Sequence, residues 1–273
     1  ISLWAILEHF GVSFSCVILR GEFNANCWIQ DVQARVFATL GQPNWLAAYL
    51  AMLIFPAIYF VLTASSRFST ILYTLFSILF YMAFTFTYSR GPSLGFLAGF
   101  GVLIVLTGLY IPLKNIKWLG IIFVAFLAIN IFFGSALTSF RLVSKFAAPV
   151  RPSISIPNTP SGTQLENGGT ESGQIRLIVW RGALDIFKHY PISGTGVETF
   201  AYSYYQFRPI AHNLTSEWDF LYNKAHNEFL NYLATTGIVG FLSYISIIIT
   251  FIIFSIRQKN LLVIVLLAAY ASF

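Results

Sequence analysis

Three residues of this chain put charge or proton affinity where it is costly to keep idle. Arg90 sits in Tyr88-Ser89-Arg90-Gly91-Pro92-Ser93-Leu94, a turn between two apolar runs too short to lift a guanidinium far from a bilayer. Gly91 and Pro92 read as fixing that turn, which favours a positioned side chain. Arg176 falls in the first turn of a helix read over Gln174–Tyr190, where the macrodipole makes a lone arginine mildly unfavourable. An anion bound there reverses the sign, because the free N–H groups and the guanidinium then act together. His226 opens Ala225-His226-Asn227-Glu228-Phe229, where a polar stretch enters an apolar run. An ordinary imidazole titrates at about 6.5, which suits proton transfer near neutrality.

Each of these has a plainer reading. Arg90 can snorkel to lipid phosphates, Arg176 can be a surface arginine, and His226 can cap a helix or mark an interface. His9, His189 and His212 have weaker settings, and Arg181 and Lys188 read as solvated or lipid-facing. Glu217-Trp218-Asp219 offers two carboxylates, but without a third ligand they make a weak metal site, so a solvated loop is the preferred reading and no metal site is expected. Gly194-Thr195-Gly196 follows a helix rather than a strand, so it reads as a turn and not as a dinucleotide loop. Cys16 and Cys27 read as ordinary small apolar residues, neither a disulfide framework nor a metal site.

The elements that must position these groups are membrane helices. Of the 273 residues, 57% are hydrophobic and only 10% charged, too few charges to cover a soluble surface of this size. Soluble enzymes, disordered chains and nucleic-acid binders are excluded on that ground, the last despite a net charge of +6. Trp45–Thr63, Phe68–Tyr88, Ser93–Tyr110, Trp118–Phe133 and Phe229–Ile256 reach spanning length or close to it. Trp4–Leu19 carries Glu8 and His9 and reads as the tail of a further span or an interfacial helix, and Leu261–Phe273 begins another. With Ile1 at one end and an apolar run interrupted at Phe273, the chain reads as a fragment cut at both ends. No ten-residue alternation of a barrel is present.

Arg67, Lys114, Lys117, Arg257 and Lys259 lie between consecutive spans, and helix parity puts all five on one side, where no Asp or Glu falls. The positive-inside rule makes that side the cytoplasm. Arg35, Arg90 and the segment from about Gly134 to Ala225 then face outward. Within that segment Ala147–Gly173 is a connector rich in Pro, Gly, Ser and Thr. Ile175, Ile178, Val179, Ala183, Ile186 and Phe187 follow at helical spacing, an amphipathic helix read as lying on the membrane face. Ser172 reads as its N-cap, and Pro191, Gly194 and Gly196 stop it. Eight aromatic residues between Phe200 and Tyr222 read either as a sugar-stacking platform or as an interfacial belt.

Taken in order, several stretches resemble the O-antigen ligase family, whose domain is shared with O-antigen polymerases and bacterial oligosaccharide-to-protein ligases. Gln42-Pro43-Asn44-Trp45-Leu46-Ala47 resembles the family's Pro-Asn-x-x-Ala entry to a span. Arg90-x-x-x-Leu94 resembles its arginine-x3-leucine motif. Arg176-x-x-x-Trp180 with Pro191-Ile192-Ser193-Gly194-Thr195-Gly196 resembles its outer-loop helix and turn. His226, with ten residues before Gly237, resembles its histidine-x10-glycine motif. The resemblance covers about residues 35–256, with the family's first spans missing.

It implies an all-α, polytopic transmembrane bundle of the GT-C type, here with about six or seven spans in one integral membrane domain (residues 1–273) and an extracytoplasmic loop over residues 134–225. It implies a glycosyltransferase of the bacterial cytoplasmic membrane, working on the extracytoplasmic face without metal or other cofactor. The donor is a glycan on undecaprenyl diphosphate, and the acceptor is a hydroxyl of a glycan, lipid or protein. Transfer is expected to invert the sugar. His226, Arg90 and Arg176 are the expected catalytic residues, with Arg90, Arg176, Glu228 and Trp180 contacting substrate. The arginines match phosphate oxygens, His226 accepts the acceptor proton, and Glu228 either orients the imidazole or caps the helix. A polymerase that joins repeat units differs only in its acceptor. A transporter of lipid-linked glycan is the rival of another class, which paired broken spans or an inverted repeat would favour; neither is visible in the sequence.

Overall fold

The computed structural model describes residues 1–110, 116–138, 170 and 172–273. Lys114 and nearly all of the connector before Gly173 lie outside the described residues. Among those described, every regular element is helical, as the composition requires. The helices are α1 (Ser2–His9), α2 (Phe14–Arg20), α3 (Pro43–Thr63), α4 (Arg67–Thr85), α5 (Arg90–Tyr110), α6 (Ile116–Phe133), α7 (Ser172–His189), α8 (Phe200–Phe207), α9 (Glu228–Gln258) and α10 (Leu261–Ala271).

Four of them, α3, α4, α5 and α9, are long and apolar enough to cross a membrane. The apolar stretches in α6 and α10 are shorter. Trp4–Leu19 is not one straight helix, since α1 and α2 meet at 85°.

The described chain divides into two compact units. The first comprises Ile1–Pro152 and Phe254–Phe273. Its core is built on α3, whose Leu46, Leu50, Ile54, Phe55, Ile58 and Val61 are fully buried, and α4, α5 and α10 pack on that helix. Glu8 of α1 is also fully buried. It accepts hydrogen bonds from Trp4 Nε1 at 3.0 Å, Ser13 Oγ at 3.1 Å and the backbone N–H groups of Phe37 and Ala38 at 3.3 and 2.9 Å. Four donors make a buried carboxylate tolerable without a cation.

Cys16 and Cys27 form a disulfide, contrary to the expectation that they serve as plain apolar residues. Helix α2 ends at Gly21 in the left-handed conformation, and the chain turns back until the two Cα atoms are 5.5 Å apart. Spacing along the sequence does not reveal that reversal.

The second unit is Ser153–Ile253. The apolar stripe of α7, Ile175, Val179, Ala183 and Ile186, is buried against Phe200 and Tyr204 of α8, Tyr222, Ala225 and Ala234. This corrects the expectation that α7 lays its apolar face on the membrane. The stripe has the spacing of an amphipathic helix either way, and here the protein's own aromatic residues cover it.

Helix α9 breaks at Gly237, whose φ of 63° and ψ of −166° are non-helical. The turn after α7 fills the break. Pro191 and Ile192 carbonyls accept from the Ile238 and Val239 N–H groups at 2.8 and 3.4 Å, while Thr195 and Gly196 N–H groups donate to the Ala234 and Thr235 carbonyls at 3.2 and 2.8 Å. Backbone groups freed inside an apolar helix must find such partners. The approach is so close that a Cβ on Gly237 would lie 2.3 Å from the Ile192 oxygen.

Candidate active site

Helix α7 carries Arg176 and Trp180 four residues apart, on one face. It starts at Ser172, so Ser172 opens the helix rather than preceding it, and Arg176 lies just past the first turn. The first-turn macrodipole argument for Arg176 weakens accordingly. The Trp180 indole donates to the Ala225 carbonyl at 3.0 Å, and the Ala225 N–H donates to Asn231 Oδ1 at 3.3 Å. Ala225 is fully buried, so both of its backbone groups are held.

His226 follows with a φ of 51°, in the left-handed region that few non-glycine residues adopt. It does not cap α9. Asn227 does: its Oδ1 accepts from the Leu230 N–H at 3.2 Å. The imidazole stands edge-on to the Tyr222 ring, centroids 5.5 Å apart at 87°. His226 is exposed at its surface, yet partial desolvation and the Arg176 charge pull its pKa below the ordinary value, with Glu217 pulling the other way. The imidazole is thereby biased to the neutral form, which can accept a proton.

The carboxylate acting on His226 is Glu217. Among the described residues no hydrogen bond joins Glu228 to His226, and Glu228 opens α9 at its exposed N-terminus. Glu217 accepts a hydrogen bond from the Tyr222 hydroxyl; burial first, then that bond and the Glu217 charge, drive the phenol's pKa up. Tyr222 also stands edge-on to His212, at 5.1 Å. His212 is fully buried, with Nδ1 2.6 Å from the Tyr204 hydroxyl. Burial lifts the Tyr204 phenol to about 12. It lowers the His212 pKa, with help from the nearby Arg208 charge.

A layer of Tyr204, His212, Tyr222 and Glu217 thus backs His226. The sequence reading places Glu217 in a solvated loop, with a weak metal site as the alternative, and gives Tyr222 no separate role. Asp219 is exposed, and no group of three His, Cys, Asp or Glu side chains suited to a metal occurs among the described residues. The aromatic stretch divides between two duties. Phe200, Tyr204 and Tyr222 are core, while Tyr202, 80% exposed, borders an open cleft of about 410 Å³ with Tyr190, Thr195, Thr199, Ser203 and Gln206.

Arg90 belongs to the first unit. It is the first residue of α5 and is exposed. Gly91 and Pro92 lie inside the first turn of that helix, where proline is well tolerated, rather than in a loop. The turn itself is made by Phe86–Ser89: Ser89 is buried, and the Ser93 hydroxyl donates to its carbonyl at 2.8 Å. The structure therefore groups Arg176, Trp180 and His226 in the second unit and gives Arg90 its own setting in the first.

The O-antigen ligase family matches this sequence over residues 74–245. No curated protein and no solved structure matches it significantly.

Proposed function

Because this chain belongs to the O-antigen ligase family, we propose that it transfers a glycan from undecaprenyl diphosphate to an acceptor hydroxyl on the extracytoplasmic face of a bacterial cytoplasmic membrane. The observation that carries this reading is the Trp180–Ala225 hydrogen bond, which ties the helix bearing Arg176 to the residue before His226. The acceptor oxygen attacks the anomeric carbon and its proton passes to the neutral imidazole. The bond from that carbon to the diphosphate breaks, and undecaprenyl diphosphate leaves carrying the negative charge. Attack opposite the leaving group inverts the sugar.

Arg90 and Arg176 each offer a planar fork to phosphate oxygens of the donor in this reading. Fixed cations aimed at the developing charge supply what a metal otherwise would, so the reaction is metal-independent in this reading. Arg176 has a second duty, since its charge disfavours protonated His226 until the acceptor proton arrives. Glu217 then stabilises the imidazolium.

Two features support the outward-facing assignment. Arg67 and Lys117 sit at ends of α4 and α6, on the side that helix parity makes cytoplasmic. The Cys16–Cys27 disulfide lies before α3, on the opposite side, and disulfides persist in oxidising compartments.

The transport reading calls for broken helices that line a substrate path. Helix α9 is broken, but its freed backbone groups are bonded to the 191–196 turn, which leaves them unavailable to a cargo. Ligase and polymerase remain the two enzymatic forms. Purified protein given a fluorescent glycan on undecaprenyl diphosphate, with lipid, protein or glycan acceptors offered separately, tests the proposal. A product on an acceptor unlike the donor identifies a ligase, lengthening of the donor glycan a polymerase, and no transfer to any acceptor contradicts both.

A further inference from the structure

We propose that Arg35 is a second guanidinium at the Arg90 site, so that the first unit presents a pair of arginines to a diphosphate. This rests on the reading that Arg90 contacts the donor's diphosphate.

Arg35 lies in the segment between the disulfide and α3. The Val36 N–H donates to the Phe86 carbonyl at 3.2 Å, tying that segment to the end of α4. The Arg35 guanidinium then spreads over the turn that leads into α5. Its Nε donates to the Thr87 carbonyl at 3.2 Å, and one terminal nitrogen donates to Ser89 Oγ at 3.4 Å and to Asn44 Oδ1 at 3.3 Å. Ser89 is the residue before Arg90. Asn44 belongs to the Pro-Asn stretch that opens α3, so two separate pieces of chain, the α4–α5 turn and the start of α3, meet on this one side chain.

All three acceptors are neutral. Among the described residues the ion pairs are Lys188–Asp185 and Lys224–Glu198, and neither involves Arg35 or Arg90. The fold therefore holds two like charges on adjoining backbone with no carboxylate between them. The repulsion is felt: after burial, the Arg90 charge is the cause that lowers the Arg35 pKa. The positive end of the α5 macrodipole adds to the same field. An anion converts this repulsion into two attractions, and two planar forks suit the two phosphoryl groups of a diphosphate better than they suit a carboxylate or chloride. Among the described residues the neutral partners of Arg35 occupy only Nε and one terminal nitrogen, which leaves its other donors for an anion.

The anion can come from the donor's diphosphate or from phosphates of anionic lipids, and the experiment separates them. Binding of undecaprenyl diphosphate is measured on native protein in nanodiscs of phosphatidylcholine alone, and again with phosphatidylglycerol present. Arg35→Gln and Arg90→Gln are each expected to weaken binding at least about tenfold, and the double variant far less than the product of the two, since the residues share one ligand. Melting temperatures with and without inorganic pyrophosphate guard against mere misfolding. Pyrophosphate should raise the melting temperature of native protein more than chloride at equal ionic strength, and should do so much less in Arg35→Lys, which keeps charge but not the fork. Native affinity in Arg35→Gln with weakened Arg90→Gln overturns this inference and leaves the function reading standing. Native affinity in both overturns the reading beneath it. An Arg35→Gln effect seen only as lost response to phosphatidylglycerol also overturns it, and assigns Arg35 to lipid.

Discussion

The Trp180 indole N–H and the Ala225 carbonyl are 3.0 Å apart, and that single bond sets helix α7 against the residue before His226. Trp180→Phe keeps an aromatic ring but loses the indole N–H, which leaves the carbonyl of fully buried Ala225 without its donor at a cost of about 1–3 kcal/mol. A slackened His226 backbone is expected to lower kcat, by up to about 10²-fold if the imidazole shifts by an ångström, with a smaller change in KM for the donor. Steady-state kinetics beside a melting curve checks this. A variant that melts lower but turns over normally would make the bond purely structural.

The pH profile separates the two charges that act on His226. Protonation of a base stops it, so the rate falls as pH drops through its pKa, which partial desolvation and Arg176 hold below the ordinary histidine value. Arg176→Gln removes a lowering influence, so the acid limb should move to higher pH. Glu217→Gln removes a raising influence, so the limb should move to lower pH. Opposite shifts in log kcat/KM against pH are the expected result. Shifts of the same sign would mean that another group titrates.

Substituting lysine tests whether the arginines act as forks. Arg90→Lys and Arg176→Lys retain charge and lose bidentate geometry, and each should lose most transfer activity at unchanged expression. A fully active double lysine variant would assign both residues to packing or lipid contact.

Gly237 admits the close approach of the 191–196 turn to helix α9. A Cβ there meets the Ile192 carbonyl oxygen at 2.3 Å, and its φ of 63° is strained for any other residue. Gly237→Ala should therefore destabilise by more than about 1 kcal/mol, read as a lower melting temperature and lower yield in detergent. An unchanged melting temperature would mean that the turn and helix do not pack as described.

Much of this was legible because hydrophobic runs and helix stops are local. The long spans, helix α7 and the turn at Gly194–Gly196 follow from short stretches of sequence. What escaped depends on chain reversal. The Cys16–Cys27 bond needs the bend at Gly21, the Tyr222–Glu217 contact needs the loop to fold behind His226, and Arg35 reaches Ser89 across 54 positions. The break in α9 escaped too, since one glycine within an apolar run does not announce that another segment will fill the gap.

The central claim is that His226 takes the acceptor proton. General-base assistance contributes about 10²–10⁴-fold, whereas the cap of α9 belongs to Asn227 and survives substitution of His226. The direct measurement is the transfer rate of His226→Gln at saturating donor and acceptor, with donor affinity and melting temperature taken alongside. A rate reduced by at least about 10²-fold, with native donor affinity and stability, is the expected result. Turnover at the native rate would contradict the account and leave the proton to the substrate or to another group.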